Sequence, residues 1–127
     1  MLILLGEVGG IEEYRVIEAV KAGKITKPIV AWAIGTCAKM FTTEVQFGHA
    51  GSLANSDMET ADAKNRAMRA AGFIVPETFE ELPRVLKETY ESLIMSGAIV
   101  PKKEVDPPVI PMDYKWAQVS LSRCELC

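Results

Sequence analysis

The sequence predicts one α/β domain built on an open parallel sheet, and three observations carry that prediction. Two apolar runs closed by glycine, "MLILLGEVGG" and "IVAWAIG", have the composition of strands buried on both faces. The stretch between them, "IEEYRVIEAVKAGK", places apolar residues at helical spacing, so strand, helix and strand form a right-handed parallel crossover. Two more amphipathic stretches follow, "SDMETADAKNRAMRAAG" and "TFEELPRVLKETYESLIMSG", each opening on Ser or Thr with Glu three residues on.

In chain order, the first strand runs to Gly6 and the Gly9-Gly10 pair. Its helix carries Ile11, Tyr14, Ile17 and Val20 on one face, and Gly23 ends it. The second strand starts after Pro28 and closes at Gly35. Ser56 and Glu59 read as a capping box for the next helix, which stops at Gly72. "FIV", Phe73 to Val75, is a short third strand. Thr78 and Glu81 open the last helix, where Leu82, Leu86, Tyr90 and Leu93 share a face. Pro83 sits too deep for that start, so either the first turn is irregular or the helix begins later. "PKKEVDPPVIPMDYKWAQ" has four prolines and no period. The domain is therefore expected over residues 1–99, and residues 100–127 as an extended arm or linker.

Composition narrows the function classes. With 127 residues, 49% of them apolar, the chain can build one modest core. A net charge of -3 and scattered basic residues give no long-range pull on nucleic acid. No run approaches the roughly 18 apolar residues of a membrane span, and Met1 to Val8 lacks the basic start and cleavage site of a signal peptide. Cys37, Cys124 and Cys127 show no disulfide-framework spacing, which fits a reducing compartment. The expectation is a cytosolic protein with neither nucleic acid nor membrane as partner. Cys37 reads as a buried small hydrophobe, Cys124 and Cys127 as at most half a zinc site, Trp32 as core and Trp116 as an anchor for the arm.

Chemistry points to one edge of the sheet. Loops leaving the carboxyl ends of parallel strands share that edge, and ligands bind there. Glu7 and Gly9-Gly10 leave the first strand at that edge, and the segment from Gly35 to Asn55 leaves the second. Such connections usually run about 2 to 6 residues, and this one spans about 20. It contains the chain's single histidine, His49, between Gly48 and Ala50-Gly51. The surrounding residues have so little bulk that a large anion can reach the ring, which at neutral pH is in good part an uncharged nucleophile. A carboxylate such as Glu7 can hold the opposite ring proton. Amides at Gly9 and Gly10 can meet a phosphate, and Ser56 to Met58 offers a second cradle. Together these parts suggest phosphoryl transfer through a phosphohistidine. A lone loop histidine is most often a solvated surface residue, Glu7 alone is more often a helix cap and Gly9-Gly10 alone a turn, so the case rests on their combination.

"GEVGG", "KPIVAWAIGTCA" and "EVQFGHAG" resemble the succinyl-CoA ligase superfamily. "AIGTCAKMFTTEVQFGHAG", "FIVPETFEEL" and "VDPPVIPMDYKWA" are similar, within it, to the ATP-citrate lyase (ATP-citrate synthase) family. The resemblance runs from about Leu5 to Gln118 and implies a flavodoxin-like domain. It further implies a cytosolic enzyme for lipid synthesis that makes acetyl-CoA and oxaloacetate from citrate, coenzyme A and ATP with Mg2+. His49 corresponds to the phosphorylated residue, which passes the phosphoryl group to citrate on the way to citryl-CoA. Glu7 corresponds to the glutamate that contacts that histidine and is a candidate Mg2+ ligand, while Gly9, Gly10, Gly48 and Gly51 fall at the phosphate or nucleotide site. Met68, Arg69, Ala70, Ala71, Gly72, Phe73, Ile74, Val75, Pro76, Glu77 and Thr78 match a segment associated with coenzyme A. The family is homotetrameric, and its nucleotide-binding, CoA-binding and tetramerising parts are not in this sequence; "VSLSRCELC" departs from its pattern. The chain is therefore expected to be a fragment, inactive by itself. A succinyl-CoA ligase alpha-subunit fragment and a non-catalytic flavodoxin-like binding module are the alternatives.

Overall fold

The computed structural model describes residues 1–41, 54–107, 109, 113, 114 and 116. His49, Gly48, Gly51, Cys124 and Cys127 lie outside the described residues. The chain begins with β1 (Leu2–Glu7), α1 (Glu12–Lys21) and β2 (Ile29–Ile34). The two strands pair in parallel with Leu4 opposite Ala31 and Glu7 opposite Ile34, the crossover expected from the apolar runs. Glycine is required at the end of α1, where Gly23 takes φ +71, a left-handed conformation that ends helices cheaply.

Residues paired in register share a face of the sheet, so the core divides in two. On one face Ile29, Ala31 and Ala33 pack with Ile17 of α1, Phe73, and Ala61 and Met68 of α2 (Ala61–Ala70). On the other, Val30 and Trp32 pack with Leu82 of α3 (Leu82–Met95), Val85 and Leu86 closing the layer. Helices on both sides of a parallel sheet are the α/β arrangement read from the sequence.

Several local expectations are corrected. β1 is not buried on both faces: Ile3 and Leu5 are 55% and 56% exposed. The buried cluster under α3 takes its sheet residues from β2 alone, so nothing described covers β1 on that side. The third strand shrinks to a single bridge between Ile74 and Val30, with Ala31 N–H donating to Ile74 O at 2.9 Å and Ile74 N–H to Ile29 O at 2.9 Å. Gly72 turns the chain just before the bridge, and Pro76, which has no N–H, follows two residues after it.

The cap of α2 is Thr60 rather than Ser56, its hydroxyl accepting the Ala63 N–H at 3.2 Å. Ser56 and Glu59 instead close a separate 3-10 turn, Asp57–Glu59, with the Ser56 hydroxyl donating to Glu59 Oε1 at 3.1 Å. The last helix does begin late. A 3-10 turn over Phe79–Glu81 precedes α3, which leaves Pro83 in its first turn, where a missing N–H costs nothing. Cys37 is exposed, on the 3-10 turn Thr36–Met40, rather than buried. Trp116 is 72% exposed and does not anchor the arm, whereas Trp32 is core.

Candidate functional site: the turn after the first strand

The turn is built where β1 runs out. Val8 N–H donates to Ile34 O at 2.8 Å, extending the ladder one residue past Glu7. Gly9 and Gly10 then take φ +92 and +63, two left-handed residues in succession, which side chains with a Cβ resist. The reversal brings the chain to the start of α1. Glu7 is exposed at the rim, and a cleft of about 430 Å³ is lined by Leu5, Gly6, Glu7, Gly9 and Ile34 with Glu12 and Glu13.

The amides of this turn already carry anions or carbonyls of the chain itself. Gly9 N–H donates to Glu59 O at 2.8 Å, and Ile11 N–H to Glu12 Oε2 at 3.0 Å. Glu59 sits among donors: the Asn55 N–H first, then the Asn55 amide, the Ser56 hydroxyl and the Gly10 N–H hold its carboxyl below the usual 4.5. The site thus has anion-binding character, with side-chain carboxylates in place of a ligand. An incoming phosphate could replace the exposed Glu12 carboxylate, but Gly9 N–H is committed to the protein.

Beneath the turn lies a buried charged network. Lys64, 1% exposed on α2, donates from Nζ to Glu7 O at 2.8 Å and to Gly9 O at 2.6 Å. The same nitrogen pairs with Glu13 Oε2 at 2.6 Å, and Glu13 Oε1 accepts the Glu7 N–H at 3.3 Å. Beyond that ion pair Glu13 Oε2 has no hydrogen-bond partner. Alongside, the buried Asn65 amide accepts from Ala33 N–H at 2.7 Å and donates to Ala33 O at 3.1 Å, closing the edge of β2 where the Ile74 bridge ends.

Glu13, Lys64 and Asn65 escaped the reading of motifs. Their signal is positional: Glu13 stands one turn before buried Ile17, and Lys64 falls between Ala61 and Met68 on the buried stripe of α2. A charge on an apolar stripe needs a partner, and each supplies the other's.

The segment Met68 to Thr78 spans the end of α2, the Gly72 turn and the Ile74 bridge. Met68 and Phe73 are core residues. Arg69, Glu77 and Thr78 line a second cleft of about 410 Å³, together with Lys39, Arg66 and Trp32. Arg69 donates to Pro76 O at 2.9 Å and pairs with Glu77 at 3.5 Å. Among the described residues no three carboxylate, thiol or imidazole groups converge on a point that could hold a metal ion, so a cation at Glu7 would depend on ligands from outside this set, as Mg2+ commonly does with nucleotide phosphates. Among them, too, no helix is long and apolar enough to cross a membrane.

The sequence matches the profile of the CoA-ligase family over residues 1–74. It is 70% identical over 118 residues to the probable ATP-citrate synthase subunit 1 of Schizosaccharomyces pombe, covering 93% of this chain and 19% of that protein. It is 55% identical to human ATP-citrate synthase, covering 93% of this chain and 11% of the relative. A solved structure of Methanosaeta concilii ATP citrate lyase, an aspartate-to-alanine variant in complex with (3S)-citryl-CoA, superposes with TM-score 0.79 at 44% identity, over 95% of this chain and 20% of that one. A second, from Methanothrix soehngenii in complex with citrate and coenzyme A, matches equally, with TM-score 0.79. The chain thus spans about a fifth or less of the length of these relatives.

Proposed function

The chain belongs to the CoA-ligase family, and from that premise we propose that it is the phosphohistidine-bearing piece of an ATP-citrate lyase. That enzyme forms acetyl-CoA and oxaloacetate from citrate, coenzyme A and ATP. The observation that carries the proposal is the 70% identity over 118 residues to a protein named as an ATP-citrate synthase subunit. His49 takes the phosphoryl group from ATP on a ring nitrogen, releasing ADP, and passes it to a citrate carboxylate; the thiol of coenzyme A then attacks the carbonyl carbon of the resulting acyl phosphate, forming the thioester as inorganic phosphate leaves. Glu7, exposed at the end of β1 and fixed by backbone contacts, steadies the ring as it becomes cationic. Gly9, Gly10, Gly48 and Gly51 leave room for the phosphoryl group. Mg2+, when bound with nucleotide, neutralises phosphate charge.

Of the segment proposed for coenzyme A, the buried Met68 and Phe73 support the fold, and contact falls to Arg69, Glu77 and Thr78 in the second cleft. Residues 100–127 serve as a linker to further parts of the enzyme, and the setting is the cytosol and lipid synthesis. The 127-residue chain alone is not expected to turn over citrate, because positioning ATP needs a nucleotide cradle that the described residues do not form. The test supplies the chain with the remaining segments of the fission yeast relative and labelled ATP. Acid-labile, base-stable label is expected on the chain and is lost in His49→Ala; label that survives this substitution refutes the assignment.

A further inference from the structure

The buried Lys64–Glu13 pair lies directly under the residue that the proposed mechanism sets beside the histidine. A lysine removed from water costs several kcal/mol unless its charge and all three donors are used. Here all three are used, and two go to backbone carbonyls of one turn, those of Glu7 and Gly9. Glu13 approaches from the other side and holds the Glu7 N–H. Both backbone polar groups of Glu7 are therefore fixed by side chains from α1 and α2, one residue before the strand ladder ends at Val8. Gly6 makes room for this: a Cβ there would run into the Glu13 carboxylate. A core this small could fill the same volume with apolar side chains at no loss of stability, which leaves the placement of the turn as what a charged pair adds.

We propose that Lys64, charge-balanced by Glu13, is a positioning residue that fixes Glu7 for its contact with the imidazole of His49, an inference that rests on the phosphohistidine reading above. Lys64 touches no reacting atom. It acts by holding the Glu7 backbone, and so the origin of the Glu7 side chain, against the anionic crowding of Glu7, Glu12 and Glu13 around the same cleft. The pair also ties the turn after β1 to α1 and α2 at one buried nitrogen.

The test uses the 127-residue chain itself. His49 is its single histidine, so phosphoramidate, from which ammonia leaves as the phosphorus–imidazole bond forms, can place an acid-labile phosphoryl group on only one imidazole. Phosphorus NMR follows the rate. Glu7→Gln is expected to slow formation at least about tenfold. In the Lys64→Met/Glu13→Gln background, with the charges removed together and folding checked by circular dichroism, Glu7→Gln is expected to change the rate less than about twofold, since a misplaced Glu7 has nothing left to lose. A tenfold effect that persists in that background overturns the proposal and leaves the reading of Glu7 standing. An unchanged rate for Glu7→Gln in the parent chain removes that reading and the proposal with it. Hydrogen exchange on the parent chain gives a check that needs no variant. The Glu7 and Gly9 amides are expected to exchange as slowly as those of β2, and exchange as fast as at Lys102 in the arm would overturn the proposal.

Discussion

β2 is buried along five of its six residues, whereas β1, paired to it in register, leaves Leu2, Ile3, Leu5 and Glu7 exposed. The two strands have the same length, and Ile3 and Leu5 are exposed although the equally apolar Val30 and Trp32 paired with them are buried, so neither length nor side-chain type explains the difference. Neighbours do. β2 has β1 on one edge and, on the other, the Ile74 bridge continued by the Asn65 amide. Its two faces are closed by separate clusters, one under α1 and α2, the other under α3. β1 has β2 on one edge, and of its side chains only Leu4 joins a core cluster. A strand's burial is thus a property of what surrounds it.

The sharpest way to break the comparison is to cut the layer under β2 and the exposed face of β1 by similar amounts. Met68, 0% exposed, packs against the Ile29–Ala31–Ala33 face, and Met68→Ala is expected to cost about 2 to 5 kcal/mol, lost transfer energy plus cavity. Ile3→Ala removes a comparable volume from a side chain that is 55% exposed and is expected to cost less than about 1 kcal/mol. Urea unfolding followed by the fluorescence of the buried Trp32 reads both. Equal losses would mean that β1 is covered in solution, by self-association or by residues outside those described.

A smaller effect is expected from turning the closed edge of β2 into an open one. Asn65→Leu keeps the volume but leaves the buried N–H and C=O of Ala33 without their partners, at a cost of about 1 to 3 kcal/mol. Asn65→Asp is the sharper variant, because it keeps the acceptor for Ala33 N–H and loses the donor to Ala33 O. If Asn65→Leu is neutral, water replaces the amide and the edge is not sealed as the hydrogen bonds imply.

What could be read in advance follows from the same physics. Periodicity and glycine placement fix where strands and helices lie, so β1, α1, β2 and an irregular or late start of α3 around Pro83 were legible. The turn at Gly9 and Gly10 and its place beside Glu7 were legible for the same reason. Burial of β1 was not, because an apolar run records a strand's composition and not its neighbours. The cap at Thr60 was missed because Ser56 and Glu59 satisfy the same pattern one turn earlier. Lys64 and Glu13 were missed because each, alone, looks like an ordinary surface charge. Only the pairing of their positions across two helices shows that both are inside.

The smallest expected effect tests how α1, the helix flanking the weaker strand, is fastened to the chain beyond. The Tyr14 hydroxyl donates to Met58 O at 2.8 Å, joining α1 to the 3-10 turn Asp57–Glu59. Removal from water, then the nearby Glu13 and Asp57 carboxylates, push the Tyr14 hydroxyl above its usual 10.0. The folded state therefore prefers the protonated phenol more than the unfolded chain does. Its contribution to stability is fully present below about pH 10, the unfolded value, and is lost as pH rises through the higher folded value. Ionisation would also remove the proton that makes the bond to Met58. Tyr14→Phe, which has neither hydroxyl nor titration, is expected to be less stable than the parent at pH 8 by an amount that shrinks at pH 11. Other groups titrating in that range act on both chains alike, so urea unfolding of the pair at the two pH values isolates Tyr14. A difference that stays the same at both would mean that the hydroxyl is solvated and that α1 is held by its apolar face alone.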